Sequence, residues 1–249
     1  MNSKGIFLQD VTFRYTGASE DAISHLTCNI LDKSFVGITG TNGSGKTTLS
    51  YLLNGLIPKE IDGKMDGQVV VDGDSTKDFP VSHFAKNIGI VFQNPENMIF
   101  NLSVAEEVGF GPSNLGLDDI YRRVTESLIA VGLEGFESRD PNTLSLGQKQ
   151  KLCIASTLAM NTDYIVLDEP SSMLDYKSSV QLYKLLKRLN SIGKTIVVIE
   201  HDTDFINEFA SHAMILDGGS LEMEGEVGVV FRHVKRLEEL GIKVPREYL

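Results

Sequence analysis

Short runs of apolar residues alternate along the chain with segments whose apolar positions recur at helical spacing, the pattern of an α/β sheet protein. Residues 6–15 (IFLQDVTFRY) and 27–38 (TCNILDKSFVGI) read as strands. The second leads into the glycine-rich stretch 40–48 and then the apolar run 49–56, so the local order is strand, glycine loop, helix. Residues 88–92 (IGIVF) form the next strand, followed by a polar break, QNPEN, and a region without strand patterning to about residue 160. Within that region Ile120, Val124, Leu128 and Val131 share a helical face behind Asp118, the expected N-cap. Leu152, Ala155, Leu158 and Ala159 do the same after the stretch LSLGQ at 144–148. Residues 164–167 and 195–199 then resume the pattern of fully buried strands, separated by a helix whose Leu182, Leu185, Leu186 and Leu189 lie on one face. A sheet interrupted by a mostly helical insertion follows, with residues 233–249 as a short helix and tail. No fixed-period repeat is visible.

Composition narrows the functional classes. The 249 residues are 41% hydrophobic and 23% charged, with 23 Gly and 7 Pro, which excludes collagen-like and disordered chains. Lys plus Arg number 23 against 34 Asp plus Glu, a net charge of −11, so capture of a nucleic-acid backbone by general electrostatics is not expected. Cys28 and Cys153 show neither CxxC spacing nor a nearby metal-binding histidine, which argues against a disulfide framework or a zinc site and for a reducing compartment. The N-terminal MNSKGIFLQD lacks the basic segment and apolar core of a signal peptide, and the longest apolar stretches are strand-sized. A membrane role would therefore run through a partner.

The chemistry concentrates in a few places. Residues Gly40, Thr41, Asn42, Gly43, Ser44, Gly45, Lys46 and Thr47 fit G-x-x-x-x-G-K-[ST], and Thr48 extends the match. Glycines there let backbone N–H groups converge on phosphate oxygens, and the following helix offers its N-terminus to the same charge. Lys46 then reaches the β- and γ-phosphates, and Thr47 ligates Mg²⁺. The run 164–169 (YIVLDE) is a buried strand ending in Asp168 and Glu169, which puts two carboxylates at the edge of the sheet where open α/β folds bind ligands. Asp168 is placed to hold Mg²⁺ and Glu169 to polarise an attacking water. His201, after the strand 195–199, lies at that same edge, whereas His25, His83, His212 and His233 read as structural or surface residues.

In this order the motifs resemble the nucleotide-binding subunit of ATP-binding cassette transporters, over nearly the whole chain. Gln93 looks like the family's Q-loop residue, LSLGQ at 144–148 like its LSGGQ signature, 171–175 like its D-loop, His201 like its switch histidine and Tyr15 like the aromatic on which adenine stacks. The resemblance implies a P-loop NTPase (RecA-like) core with an N-terminal antiparallel β region and an inserted α-helical sub-domain. The core would comprise about 1–93 and 160–232, the helical sub-domain about 94–159 and the C-terminal tail about 233–249. It further implies ATP and Mg²⁺ as cofactors, with Thr47, Gln93 and Asp168 around the metal and Glu169, His201 and Gln93 in catalysis. Two such domains would sandwich ATP head to tail, each nucleotide held by the glycine loop of one chain and by Ser145, Gly147 and Gln148 of the other. Ser145 and Gly147 precede a helical run, so their donors lie at a helix N-terminus suited to a γ-phosphate. Leu146 departs from the glycine common there, and Lys151 stands where the family often has Arg.

A narrower resemblance, carried by 91–97 (VFQNPEN) and 104–111 (VAEEVGFG), is to the ATPases of energy-coupling-factor importers, which take up vitamins and transition-metal ions such as cobalt or nickel. It implies a peripheral subunit on the cytoplasmic face of the cell membrane, bound to transmembrane subunits, and working as a homodimer or with a paralogous ATPase. Other readings remain open: an ATPase of another transporter, a soluble ATPase on the same cassette, or a non-hydrolysing partner subunit. Only residues 49–143 separate the glycine loop from the signature, without the sustained heptads of the chromosome and repair ATPases. Glu169, Gln93 and His201 speak for hydrolysis, while Leu146 keeps the inert subunit in play.

Overall fold

The computed structural model describes residues 4–249, so the first three residues of the N-terminal stretch discussed above lie outside it. In chain order the elements are β1 (Gly5–Tyr15), β2 (Ile23–Leu31), β3 (Phe35–Gly40), α1 (Lys46–Leu53), the short α2 (Leu56–Lys59, broken at Ile57), β4 (Gly63–Val71), β5 (Asp74–Ser75), α3 (Val81–Phe84) and β6 (Ile88–Val91). The helices α4 (Val104–Asn114), α5 (Ile120–Val131) and α6 (Leu146–Ala159) follow. The chain closes with β7 (Tyr164–Asp168), α7 (Tyr176–Ser191), β8 (Thr195–Ile199), α8 (Thr203–Phe209), β9 (His212–Asp217), β10 (Ser220–Glu226), α9 (Val227–Val230) and α10 (Val234–Glu239). Among the described residues no helix is long and apolar enough to cross a membrane.

Two sheets form. One is antiparallel, in the order β2-β1-β4-β5, and the other runs β10-β9-β3-β8-β7-β6 with only β10 antiparallel to its neighbour. The architecture is α/β, with an antiparallel sheet, a mainly parallel sheet and an inserted helical stretch, as expected. Strands β3, β7 and β8 are buried along their whole length, so their residues alternate between two cores instead of between core and solvent. Ile165, Leu167, Ile196 and Val198 pack with the helices α4–α8, while Tyr164, Val166, Val197 and Ile199 pack with α1 and the antiparallel sheet. Cys153 and Cys28 are free thiols in the first and second of these cores, and burial pushes each up to about 12.

Several expectations need correction. Residues 27–38 are not one strand. The chain leaves β2 at Leu31, turns through Asp32, Lys33 and Ser34 with Lys33 at φ 62°, and enters the other sheet at Phe35. The three polar residues mark the turn, and the burial pattern changes there from alternating to continuous. The helix expected over 49–56 starts at Lys46 and stops at Leu53, where Asn54 and the left-handed Gly55 end it. Asp118 is not the N-cap of α5. Asp119 occupies that place in a left-handed conformation with no side-chain cap bond, and the Asp118 carbonyl instead accepts from Arg123 Nε at 2.8 Å. The strands β4, β9 and β10 were not anticipated; β4 and β10 carry many exposed, polar and glycine positions, whereas the short buried run of β9 went unread.

Candidate functional site

The parallel strands all point the same way, and this alone gathers the chemistry. In spatial order β6, β7, β8 and β3 lie side by side, and their carboxyl ends lead to Gln93, to Asp168 with Glu169, to His201, and to the glycine loop. At the loop, a Cβ on Gly45 would sit 2.4 Å from the Ala22 carbonyl oxygen, and φ there is +94°. A Cβ on Gly40 would lie 2.2 Å from the Leu216 carbonyl oxygen. Both positions thus need glycine for close approach, and Gly45 also for its conformation. Thr41 Oγ1 donates to Asp217 Oδ1 at 3.0 Å and ties the loop to the end of β9.

Lys46, 6% exposed, folds back over the loop, with Nζ donating to the carbonyls of Gly40 at 3.0 Å and Thr41 at 2.8 Å. Burial lowers the pKa of its ammonium, against the pull of Glu169 and Asp168. The Ser44 hydroxyl is buried and has no hydrogen-bond partner among the described residues, which leaves it a donor inside the loop. Burial also pushes the Asp168 carboxyl above its ordinary range, opposed by a hydrogen bond from Thr47. A buried carboxylate beside a hydroxyl, both hard oxygen donors, is a donor pair that fits Mg²⁺.

Above the loop, Glu169 is held from two sides. Gln93 Nε2 donates to Oε2 at 2.6 Å, and His201 Nε2 pairs with Oε1 at 2.9 Å. Glu169 has φ +46°, a left-handed conformation that costs a non-glycine residue on the order of 1–3 kcal/mol and that clusters at functional sites. A cavity of about 350 Å³ opens here, lined by Tyr15, Asn42, Gly43, Lys46, Glu169 and His201 among others. Tyr15 stands at its wall, its hydroxyl 2.9 Å from Thr48 Oγ1 and its ring edge-on to Phe13.

Ser145, Gly147 and Gln148 do not line this cavity. Ser145 caps α6 in a reciprocal box, with Gln148 N donating to Ser145 Oγ at 3.3 Å and Ser145 N donating to Gln148 Oε1 at 2.9 Å. Gly147 therefore lies inside the first turn of α6 rather than before the helix. The Gln148 side-chain oxygen is committed to the box, whereas its NH₂ and the Ser145 hydroxyl hydrogen are left able to donate.

A residue that sequence reasoning missed sits between these groups. Glu200 is 3% exposed and accepts bonds from Ser171, Tyr183 and the backbone of His201 and Asp202. The only signal was a carboxylate directly after an apolar strand and directly before the histidine. Of the other histidines, His25 pairs with Asp10 and His83 with Asp74, both away from the cavity.

Fold and site together define a P-loop ATPase, and the comparisons place it further. The profile of the ABC transporter family matches residues 23–172, and the chain belongs to that family. It is 42% identical over 243 residues to a protein of Pyrococcus horikoshii described as an ABC transporter ATP-binding protein, covering 96% of this chain and 86% of that one. Among solved structures it is similar to CbiO1 from Clostridium perfringens, part of the ABC transporter complex CbiONQ. The TM-score is 0.83 and the identity 28%, over 99% of this chain and 98% of that one. It is also similar to a dimeric ATP-binding cassette in a post-hydrolysis state bound to ADP and Pi. There the TM-score is 0.76 and the identity 32%, over 89% of this chain and 98% of the other. The chain is thus an ATP-binding, ATP-hydrolysing subunit of a transporter, from a family whose ATPases dimerise and pair with transmembrane subunits.

Proposed function

We propose that this chain powers an energy-coupling-factor importer for a vitamin or a transition-metal ion, as a peripheral ATPase on the cytoplasmic face of the cell membrane. The likeness to CbiO1 along 99% of the chain is the observation that carries the importer class. The working units are a RecA-like core of about 1–93 and 160–232, a helical sub-domain of about 94–159 and a tail of about 233–249.

In this reading adenine stacks on Tyr15, and the backbone of Gly40, Thr41, Asn42, Gly43, Ser44 and Gly45 surrounds the phosphates with Thr48 at the edge. Lys46 gives up its two loop carbonyls for the β- and γ-phosphates. Thr47, Asp168 and Gln93 hold Mg²⁺, which neutralises phosphate charge when bound. Glu169 takes the proton of the attacking water, with Gln93 and His201 fixing its carboxylate. Because Ser145, Gly147 and Gln148 stand apart from the cavity of their own chain, a second chain, identical or paralogous, supplies them to complete the site.

The membrane partner docks beside Gln93. Phe100 is 63% exposed and edge-on to Phe110, next to an apolar cavity of about 520 Å³ between α4 and α5. The buried Glu107 carboxylate accepts from the backbone N–H groups of Phe100 and Asn101 at 3.1 and 3.0 Å and so holds this loop open to a partner. The test is Phe100→Asp, with the tagged chain purified from detergent-solubilised native membranes and uptake of Co²⁺, Ni²⁺ and radiolabelled vitamins measured. Loss of a co-purifying multi-spanning protein and of uptake, with ATPase activity retained by the isolated subunit, is the expected result. Normal co-purification and uptake would refute the docking surface, and a parent that carries none of these substrates would refute the importer class.

A further inference from the structure

The Glu200 carboxylate has two oxygens facing two different parts of the catalytic apparatus. Oε1 accepts from the backbone N–H of His201 at 2.9 Å and of Asp202 at 3.3 Å. Oε2 accepts from Ser171 Oγ at 2.5 Å and from the Tyr183 hydroxyl at 2.9 Å. Ser171 lies two residues after Glu169, and Ser172 Oγ donates back to the Glu169 carbonyl at 2.9 Å. The backbone adds two constraints, since Glu200 N donates to the Ile38 carbonyl and Glu169 N to the Ile199 carbonyl, both at 2.9 Å. One buried carboxylate thus bridges the segment that carries Glu169 and the backbone that carries His201.

From this geometry we infer that Glu200 is a positioning residue for ATP hydrolysis, fixing the imidazole of His201 against the Glu169 carboxylate by holding the His201 backbone and the loop that begins at Ser171 in one register. All four partners donate, so an acceptor-only group suits the place, and four bonds to two oxygens leave the loop after β8 little freedom. The His201 side chain is 44% exposed, and among the described residues its ring hydrogen-bonds only to Glu169. Without Glu200 the backbone of His201 is free to drift, and a displacement of about 1 Å at a catalytic group costs on the order of 10²-fold in rate. Nucleotide binding draws on the glycine loop, Lys46, Thr47 and Asp168, none of which bonds Glu200, so the loss falls on kcat and not on KM. This inference rests on the assignment of His201 and Glu169 to hydrolysis made above.

The side chain also predicts which replacement restores function. In Glu200→Gln the amide oxygen can face the two backbone N–H groups, which only donate, while its NH₂ faces the Ser171 and Tyr183 hydroxyls, which turn to accept. In Glu200→Met the length is kept and both acceptors are lost. The experiment measures steady-state hydrolysis and MgATP affinity of both variants, of Tyr183→Phe, of His201→Ala and of the pairs with His201→Ala, after circular dichroism has established folding. Glu200→Met should lose at least about 30-fold in kcat with KM within about threefold, and Glu200→Gln should recover at least about a third of the parental kcat. Tyr183→Phe removes a single donor to Oε2 and should lower kcat about threefold without changing KM. If Glu200→Met does not fold, Tyr183→Phe decides on the same criteria. On a His201→Ala background the Glu200→Met loss should shrink to less than about threefold and the Tyr183→Phe loss should vanish, because the effect passes through the histidine. A folded Glu200→Met with parental kcat, a loss undiminished on the His201→Ala background, or a parallel loss of ATP affinity would overturn the inference while leaving His201 and Glu169 in their assigned roles. A parental rate in His201→Ala itself would instead refute the assignment beneath it, and the inference with it.

Discussion

Replacing Glu169 by Gln separates binding from chemistry in this site. The carboxylate accepts from Gln93 Nε2 at 2.6 Å and faces His201 Nε2 at 2.9 Å. A carboxamide of the same shape keeps both contacts, with its oxygen accepting from Gln93 Nε2 and its NH₂ donating to His201 Nε2, which accepts in the tautomer that carries its proton on Nδ1. Geometry therefore survives, and only charge and basicity are lost. A positioned general base contributes about 10² to 10⁴ in rate, which corresponds to about 2.7–5.5 kcal/mol on the barrier. The groups assigned to ATP, Lys46, Thr47 and Asp168, do not bond the Glu169 side chain, and removing a negative charge beside a polyphosphate relieves repulsion. ATP should bind at least as tightly as in the parent. With hydrolysis slowed this far, the ATP-bound dimer accumulates. Light scattering and size-exclusion chromatography of Glu169→Gln should show a dimer with MgATP, absent with ADP and weak in the parent, alongside a hydrolysis rate lower by about 10² or more. A mutant hydrolysing at the parental rate refutes the base. A slow mutant that stays monomeric at saturating ATP refutes closure by identical chains and requires a paralogous partner.

Further outcomes follow from the same geometry. Lys46→Ala removes charge-assisted contacts to the phosphates and should cost about 1.5–3 kcal/mol, more than about tenfold in ATP affinity; equal calorimetric affinity in mutant and parent would count against it. Gly45→Ala forces a Cβ to within 2.4 Å of the Ala22 carbonyl oxygen at φ +94°, so the loop must shift and nucleotide binding should fall while the sheet core keeps its far-ultraviolet circular dichroism. The tail is held by Lys243, which donates to Asp202 at 2.6 Å and Asp204 at 2.7 Å. Burial opposes the charges, yet these bonds prevail, raising the pKa of Lys243 and, with Arg246, lowering that of Asp204. A lowered carboxyl contributes stability above its unfolded value near 4 and loses it as pH falls through the folded pKa, whereas the raised ammonium contributes below about 10.4 and loses it as pH climbs through its own. The difference in Tm between parent and Lys243→Ala should therefore be greatest near neutral pH and shrink toward both extremes; a difference independent of pH would exclude the ion pairs as its source.

Much of the nucleotide site was legible in the primary structure because its parts are local. Gly40 to Thr48 form one continuous stretch from the end of β3 through the loop into α1, and Asp168 and Glu169 end one apolar run, so spacing alone announces their chemistry. Glu200 was not legible, because its meaning lies in Ser171 and Tyr183, which approach it only when α7 packs against β8. The break between β2 and β3 was missed for a related reason: both halves of 27–38 carry strand patterning, and assignment to two different sheets is what separates them at Asp32, Lys33 and Ser34.

By itself the sequence determined the phosphate loop, the acids at the end of β7, the helical faces of α5, α6 and α7, and the family. Each of these depends on near neighbours along the chain, where periodicity and backbone chemistry act. Tertiary structure decided the strand order β6-β7-β8-β3, which sets Gln93, Glu169, His201 and the glycine loop side by side, and it decided the placement of Ser145 and Gly147 away from that cavity. The physical reason is that strand pairing and burial are collective: which apolar run lies beside which is fixed by how two cores fill on either face of one sheet, and no single segment carries that choice.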